Sequence, residues 1–216
     1  MIRTLKNKLN KVVNKDSYYK KYLENNVGTG YNLKLIGRNY ETGKFFPEYE
    51  DKIHLKETIN WLKKGQDVCN GNGVSSLFCP IKGWGVAYPE TSGYIIPTFL
   101  AISELINDDE LFKRAVKLGD WEIEIQTNSG GVLSNPLKSF TRIFNTGQVI
   151  LGWCVLYEKT NENKYLNAAL RAAEYLLINQ EYDGQWNKNT YCGSRTYHSR
   201  VDWALLRLGL LSNDKR

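Results

Sequence analysis

The feature that most constrains the fold is an internal repeat, whose copies start 60 and 54 residues apart. In each copy an aromatic residue is followed five positions later by glutamine and then by a glycine turn. The three sets are Trp61–Gln66–Gly73, Trp121–Gln126–Gly131 and Tyr175–Gln180–Gly184. The pattern predicts that one helix of each copy ends at a glycine-rich stop. Because a repeat determines the architecture of a chain, we expect three copies of one helical unit.

A second helix is predicted after each glycine turn. Its three copies read TSGYIIPTFLAISELI, NTGQVILGWCVLYEKT and YHSRVDWALLRLGLL, with Gly93, Gly147 and Ser199 in the same register. The first two are apolar on nearly every face, whereas the helix NKYLNAALRAAEYLLINQ before the third has a single apolar stripe. Alternation of an outer, half-exposed helix with an inner, buried one predicts an all-α fold. It is typical of an αα-toroid, with inner helices near 92–106, 146–158 and 198–211.

Three hairpins are half of the six that usually close such a toroid. We therefore expect a toroid-like array of three αα-hairpins, an incomplete barrel over residues 52–216. Three interpretations stay open: an open half-barrel, a half-barrel closed by a partner such as a second copy, or a truncated relative that lacks its C-terminal half. An uncovered inner helix would leave apolar surface exposed, which argues for a partner or for poor stability. Pro97 predicts either a kink in the first inner helix or a regular helix that starts near this residue.

Most of the formal net charge of +6 lies in the first 26 residues, which carry seven basic and two acidic residues. Five apolar residues recur there at helical spacing and predict a basic amphipathic helix: Ile2, Leu5, Leu9, Val12 and Val13. This helix either packs on the domain or, through residues 1–24, contacts an anionic membrane surface or a protein partner. Residues 27–51 are predicted to be a linker, with a weak strand signal at Lys34–Ile36. No nucleic-acid motif accompanies the charge, so nucleic acid is not an expected partner.

The remaining composition argues for a chain without a membrane span or a bound metal. No apolar run approaches the roughly 18 residues of a membrane-spanning helix, and the N-terminus lacks a signal-peptide pattern. We expect a cytoplasmic protein, peripheral to the membrane if the basic helix binds there. The spacing of Cys69, Cys79, Cys154 and Cys192 resembles no zinc ribbon or finger. No metal and no cofactor are predicted.

Equivalent positions in equivalent repeats should lie at one end of the array. The starts of the three inner helices would then form a shared rim, and helix N-termini favour anions such as carboxylates. Glu90 and Tyr94 belong to this rim, as do Asn145 and Gln148. Five rim residues are of good N-cap type, namely Thr91, Ser92, Asn145, Thr146 and Ser199. The alternative is that these polar residues only cap helices.

The third rim segment, RTYHSRVDW, concentrates groups that can carry chemistry. Tyr197 and His198 can move protons, and Arg200 can hold a carboxylate with a two-pronged hydrogen bond. This set suits removal of a proton next to a carboxylate, where negative charge develops. The alternative for His198 is a hydrogen-bonded helix-start residue. Aromatic residues in the glycine-rich connections suit stacking on sugar rings or, alternatively, packing in the core: Trp84, Tyr88, Trp186 and Tyr191.

With these residues in view, the chain resembles the (α/α) toroid proteins that include six-hairpin glycosidases, polysaccharide lyases and glucuronyl C5-epimerases. It looks most similar to bacterial proteins of polysaccharide-biosynthesis regions that resemble the C-terminal domain of the epimerases. The segments GWGVAYPETSGYIIPTFL, FNTGQVILGW and TYHSRVDWALLRL carry the resemblance, which covers residues 52–212. In the epimerases, cleft tyrosines are implicated in moving the C5 proton, and the resemblance carries this role to Tyr197.

The resemblance implies a protein of polysaccharide biosynthesis or modification that handles an acidic, uronate-containing glycan. If it is an enzyme, we expect epimerase-like or lyase-like proton abstraction by Tyr197 and His198, with Arg200 on the carboxylate and Glu90 as a further acid–base group. The expected substrate-binding residues are Tyr94, Trp84, Tyr88, Asn145, Gln148 and Trp186. One alternative is a glycoside hydrolase, which would need Glu90 and Asp202 as its carboxylate pair. The other is a half-toroid that binds glycan or scaffolds a partner without catalysis. Asp120, Glu122 and Glu124 are predicted to form a solvated face.

Overall fold

The computed structural model describes residues 50–79 and 82–212. The basic helix predicted over residues 1–26, the strand signal at Lys34–Ile36 and nearly all of the linker 27–51 lie outside the described residues. The described part divides into two compact units. One holds residues 50–61, 77–79 and 82–85, and the other holds residues 62–76 and 86–212.

The first unit combines most of helix α1 with a short hairpin. Helix α1 spans Asp51–Asp67, and its last turns belong to the second unit. Strands β1 (Phe78–Cys79) and β2 (Gly83–Trp84) pair antiparallel, with Phe78 opposite Trp84. The rings of Trp61, Phe78 and Trp84 pack on one another with centroids 4.6 to 5.5 Å apart. This aromatic cluster holds the only sheet among the described residues.

The second unit is helical, so the predicted all-α class is confirmed for the described residues. Its helices are α2 (Pro89–Ile106), α3 (Asp109–Glu124), α4 (Ile143–Thr160), α5 (Asn163–Ile178) and α6 (Ser199–Ser212), with a 3-10 turn at Thr196–His198. The inner helices α2, α4 and α6 lie within a few residues of their predicted bounds. Both α2 and α4 stop at an asparagine in the left-handed conformation, Asn107 and Asn161, which ends a helix without glycine. Pro97 lies within α2, so this helix does not begin there.

The three inner helices pack side by side in the order α2, α4, α6 and run in the same direction. Near their starts, Gly93 of α2 faces the backbone of α4, and Gly147 of α4 faces Val201 of α6. Near their ends, Lys159 of α4 pairs with Glu104 of α2, and Arg207 of α6 bonds Glu158 of α4 at 2.6 Å. Because helix starts contact helix starts and helix ends contact helix ends, the three N-termini lie at the same end of the row.

The outer helices are joined to one another by the glutamine of the repeat. Nε2 of Gln126 donates to the carbonyl of Gly130 in its own turn and to that of Ala168 in the next outer helix, both at 2.9 Å. Arg171 donates back to the Gln126 side-chain oxygen. One repeat earlier, Gln66 donates to Gly71 at 3.3 Å and to the Arg114 carbonyl at 3.2 Å, and Arg114 donates back at 3.1 Å. Each glutamine thus closes a turn and attaches the following helix.

Glu122 corrects the prediction of a solvated acidic face on α3. Its side chain is 0% exposed, and no described residue hydrogen-bonds either carboxylate oxygen. The physical reason is its place in the repeat, four residues before Gln126, where the third copy has the buried Leu176. Burial raises the pKa of Glu122 well above its ordinary value, because a charged carboxylate is poorly solvated in the core.

No helix within residues 50–79 and 82–212 combines the length and hydrophobicity that a bilayer crossing requires.

The first prediction concerns the close approach of α2 and α4. A Cβ at Gly93 would lie 2.9 Å from the Gln148 carbonyl oxygen and 3.0 Å from Val149 Cα, both backbone atoms. We expect Gly93→Ala to lower the free energy of unfolding by about 1–3 kcal/mol, since crowding outweighs the higher helix propensity of alanine. Denaturant titration measures the change. The control is Ser199→Ala at the equivalent, exposed start of α6, which should have little effect; equal losses at both positions would contradict the close-approach argument.

The second prediction concerns the buried carboxyl of Glu122. Because its pKa is higher in the folded than in the unfolded chain, its contribution to stability is complete below about 4.5 and declines as pH rises toward the folded-state pKa. We expect Glu122→Leu to raise the free energy of unfolding at pH 7 by about 1–3 kcal/mol, since it removes a buried polar group without a partner. Stability of the variant should also depend less on pH above 4.5.

Urea titrations between pH 4 and 8 test both effects. The exposed neighbour Glu124, changed to Gln, is the control and should leave the pH profile as it is. A Glu122→Leu protein with unchanged pH dependence would show that Glu122 is ionised in the folded state.

Candidate functional site

Two of the predicted N-cap residues have a different role. The residues that precede α2 and α4 are Tyr88 and Arg142, and neither caps its helix with a side chain. Ser92 instead accepts a hydrogen bond from the Val74 amide at 2.9 Å and donates to the Tyr88 carbonyl at 2.8 Å. Thr146 repeats this arrangement with the Val132 amide at 3.0 Å and the Arg142 carbonyl at 2.7 Å. Each of these two hydroxyls therefore bonds the preceding glycine turn to the start of the next inner helix.

A chain of hydrogen bonds crosses the starts of α2 and α4. The Tyr88 hydroxyl donates to the Glu90 carboxylate at 3.2 Å and lies 2.5 Å from the Tyr191 hydroxyl. Tyr191 in turn donates to the side-chain oxygen of Asn145 at 3.2 Å. Asn145 is fully buried, and its amide donates to the Ser134 carbonyl at 3.3 Å, which fixes its orientation. The chain therefore connects a carboxylate to an immobilised amide through two phenol groups.

The electrostatics of this chain suit Glu90 to accepting a proton. Partial burial raises the pKa of Glu90, while the hydrogen bond from Tyr88 opposes the shift. A carboxylate with a raised pKa is a stronger base than one in water. Burial, the bond to Tyr191 and the charge of Glu90 all raise the pKa of Tyr88, so this phenol stays protonated at neutral pH. Glu90 can accept a proton, and Tyr88 can donate one.

A second polar cluster lies near the starts of the inner helices. Its members directly follow the equivalent residues Gly93, Gly147 and Ser199, and they are Tyr94, Gln148 and Arg200. Arg200 Nε donates to the Gln148 side-chain oxygen at 3.2 Å, and its guanidinium carbon lies 5.1 Å from the Tyr94 ring centroid. Gln148 is fully buried, and its Nε2 has no hydrogen-bond partner among the described residues. The cluster therefore offers an exposed cation, Arg200, whose guanidinium is held by a buried amide.

Charged groups of both clusters shift the pKa of one residue, Tyr94. The pKa of Tyr94 is raised by burial and by the charge of Glu90, and it is lowered by the charge of Arg200. The pKa of Tyr197 is raised by burial and also by Tyr191 and Glu90. Glu90 therefore lies within electrostatic range of tyrosines on α2 and on the 3-10 turn before α6. A base, protonated phenols and a guanidinium are thus gathered at one end of the inner helices.

His198 is held as a helix-start residue. Its ring is 4% exposed, and Nδ1 accepts a hydrogen bond from the Arg195 amide at 3.4 Å. Burial lowers its pKa, against the opposing charge of Asp202, so the ring favours the neutral form. Its Nε2 is buried and has no partner among the described residues. Tyr197 packs on this ring and on Phe144, with centroids 4.5 and 4.8 Å apart. The structure supports the helix-start alternative for His198 more than proton exchange with a substrate.

The two predicted tryptophans lie outside these clusters. Trp186 is 1% exposed, and its indole nitrogen donates to the Leu176 carbonyl at 2.9 Å. Its side chain is therefore part of the core and offers no face for a sugar ring, because the connection folds inward. Trp84 belongs to the first compact unit, where it packs against Trp61 and Phe78.

Tyr191 was named in the sequence analysis as an aromatic residue for stacking or core packing, but it was not among the expected substrate-binding residues. Besides its bonds to Tyr88 and Asn145, its ring lies 4.7 Å from the Arg142 guanidinium carbon. Arg142 also donates to the Thr190 carbonyl at 2.7 Å, which anchors the connection that carries Tyr191. The signal in the sequence was only its position in an aromatic, glycine-rich connection. Nothing in that pattern indicates that the connection reaches back to the start of α4.

Within the described ranges, no group of three or more histidine, cysteine, aspartate or glutamate residues is arranged to hold a metal ion. Comparisons with protein-family models, with curated proteins and with solved structures find no match to this chain. A functional assignment therefore depends on the chemistry of the two clusters.

Proposed function

We propose that the protein acts on an acidic, uronate-containing glycan at the starts of the inner helices, by abstraction of the proton next to the sugar carboxylate. The observation that carries this proposal is that two polar clusters both influence Tyr94. One is the chain Glu90–Tyr88–Tyr191–Asn145, and the other joins Arg200 to Gln148. Besides burial, the charge of Glu90 raises the pKa of Tyr94 and the charge of Arg200 lowers it. Proton abstraction at such a carbon needs a base and a group that stabilises negative charge on the carboxylate.

Arg200 would hold the carboxylate, because a guanidinium forms strong, charge-assisted hydrogen bonds with this group and Arg200 is exposed. Gln148 is fully buried and would orient the Arg200 guanidinium through the 3.2 Å hydrogen bond from Nε. The N-termini of three parallel helices add positive potential at the same end.

Glu90 would take the proton, and a tyrosine would return one. Among the residues first considered for proton transfer, Glu90 has a hydrogen-bonded phenol beside it, whereas His198 is buried and engaged with the backbone. Tyr88 stays protonated and donates its hydroxyl hydrogen to Glu90, so it is placed to return a proton. Tyr197 is partly exposed and also stays protonated, so it keeps the donor role that the family resemblance implies. Delivery of a proton to the opposite face of the same carbon gives epimerisation. Cleavage of the bond between the neighbouring carbon and its glycosidic oxygen, which leaves with a proton as a double bond forms, gives a lyase reaction.

The row of inner helices with outer helices packed on it is compatible with part of an αα-toroid, and we include that architecture in the proposal. A hydrolase would need two cooperating carboxyl groups. Glu90 is hydrogen-bonded to Tyr88 in the structure, and the pairing with Asp202 that a hydrolase would need stays a prediction. A protein that binds the glycan without turnover would use the same carboxylate contacts, and the experiments below separate the two cases.

The third prediction tests recognition of the carboxylate. We expect Arg200→Ala to weaken binding of uronate oligosaccharides about ten- to a hundred-fold, because a hydrogen bond to a charged group contributes about 1.5–3 kcal/mol. Binding of matched neutral oligosaccharides should change little. Isothermal titration calorimetry of both ligand series measures the difference. Arg207→Ala is the control, because Arg207 lies further along α6 and bonds Glu158. Equal losses for acidic and neutral ligands would argue against carboxylate recognition.

The fourth prediction tests proton abstraction. In deuterium oxide the protein should incorporate deuterium next to the carboxylate of a uronate oligosaccharide, or release an unsaturated product. We expect Glu90→Gln to slow either reaction by at least a hundredfold, typical of the loss of a general base, while affinity for the oligosaccharide stays within a few fold. Mass spectrometry and ultraviolet absorbance follow the two outcomes. Tight binding without exchange or cleavage in the unmodified protein would identify a binding protein in place of an enzyme.

A further inference from the structure

A polar cavity lies between the first half of α3 and the end of α1 with the turn that follows it, within the second unit. Its volume is about 370 Å³, and every lining residue is glycine or carries a polar or charged side chain. Sites for small molecules commonly have volumes of about 300–1,000 Å³ and a mostly apolar lining. A cavity of this size with a polar lining therefore favours a polar, hydrogen-bonding occupant. This inference does not depend on the proposed function, because the lining residues belong to neither cluster at the helix starts.

The acidic groups of this cavity already have basic partners. Arg114 donates to Glu110 at 2.7 Å and to Asp67 at 2.8 Å. Lys63 donates to the other Glu110 oxygen at 2.6 Å. Arg114 also donates to the side-chain oxygen of the fully buried Gln66 at 3.1 Å, which fixes this wall of the cavity. The ion pairs contain two positive and two negative side chains, so they give the cavity no net charge.

Two lysines of α3 add positive charge that no carboxylate among the described residues balances. Lys113 and Lys117 stand one helical turn apart, and both line the cavity. Lys117 Nζ donates to the Asn70 carbonyl at 3.0 Å and lies in the space that a side chain at Gly71 would fill, so it is held across the turn. Lys113 is exposed and has no bonding partner within the described part of the chain. Because like charges four residues apart on a helix repel, an anion between the two lysines is favoured.

The next repeat shows that attachment of an outer helix does not require these lysines. The arginine that bonds the repeat glutamine is kept in α5 as Arg171. Counting from this residue, α5 has Leu170 and Glu174 where α3 has its two lysines. The bonds between outer helices are thus kept while the positive charge is lost. The lysine pair is therefore a property of this cavity and not of the repeat.

We propose that the cavity binds a sugar, or a polar molecule of similar size, that carries a tetrahedral oxyanion such as a phosphate or sulfate ester. The ammonium groups of Lys113 and Lys117 would contact the oxyanion through charge-assisted hydrogen bonds. The three terminal oxygen atoms of such an ester allow it to bond both lysines at once. The rest of the lining suits sugar hydroxyl groups, which can donate to the Asp67 carboxylate and bond the Asn70 side-chain amide.

The fifth prediction compares glucose 6-phosphate, glucose 6-sulfate and glucose as ligands of the full chain. We expect at least one ester to bind at least tenfold more tightly than glucose in isothermal titration calorimetry at low ionic strength, where exposed charges are least screened. Lys113→Gln should weaken binding of this ester at least fivefold, because it removes an ammonium group without breaking a bond to any described residue. Lys113→Gln together with Lys117→Gln should abolish the preference over glucose. Tighter binding of the phosphate or of the sulfate ester identifies which of the two esters the cavity takes, and either result supports the proposal.

Lys138→Gln is the matched control, because Lys138 is exposed, lies outside the cavity lining and loses the same charge. This variant should bind the ester within twofold of the unmodified chain. Arg200→Ala should do so too, which separates this site from that of the proposed function. If circular dichroism shows that the double variant is unfolded, Lys113→Gln alone decides. The proposal is overturned by esters that bind no more tightly than glucose. It is equally overturned by similar losses in Lys113→Gln and Lys138→Gln, since general attraction to a positively charged protein would then explain the binding.

Discussion

The contact on which the second unit depends is the close packing of parallel inner helices at Gly93 and Gly147. Because these positions have no side chain, the helices approach closely: a Cβ at Gly93 would lie 2.9 Å from the Gln148 carbonyl oxygen, and one at Gly147 would lie 3.2 Å from Val201 Cα. The same contact sets the register of the three helices, because each glycine stands at the equivalent place near a helix start. It therefore decides which side chains meet at that end, including Tyr94, Gln148 and Arg200.

The polar residues at this end serve two purposes that their residue types do not distinguish. Ser92 and Thr146 face inward and fasten the glycine turns, so they belong to the scaffold. Glu90, Tyr88 and Arg200 remain partly or largely exposed and bond to one another or to buried amides. Asn145 and Gln148 are buried beneath these groups. The Asn145 amide donates to the Ser134 carbonyl, and the Gln148 side-chain oxygen accepts a hydrogen bond from Arg200. A fixed inner layer thus supports a reactive outer layer, which is how a site keeps its geometry.

The helices could be predicted from the sequence because their signals are local: apolar periodicity, asparagine or glycine stops, and one glutamine per repeat. The parallel order of α2, α4 and α6 followed from the repeat. The burial of Glu122 could have been predicted by aligning it with Leu176, but acidic charge alone suggested solvent. The roles of Ser92 and Tyr191 depend on partners 18 and 103 residues away, and no local pattern encodes such contacts. The inward packing of Trp186 depends likewise on the fold of its connection.

The glutamine bonds between outer helices also bear on how the array unfolds. Each bond set couples one repeat only to its neighbour, so the free energy of local opening is expected to follow nearest-neighbour terms along the array. Gln66 and Gln126 each bond both their own turn and the following outer helix, whereas Gln180 bonds only its own turn among the residues that the structure describes. The backbone amide hydrogens of α5 and α6 would then exchange through local openings of lower free energy than the openings that expose the amides of α3 and α4.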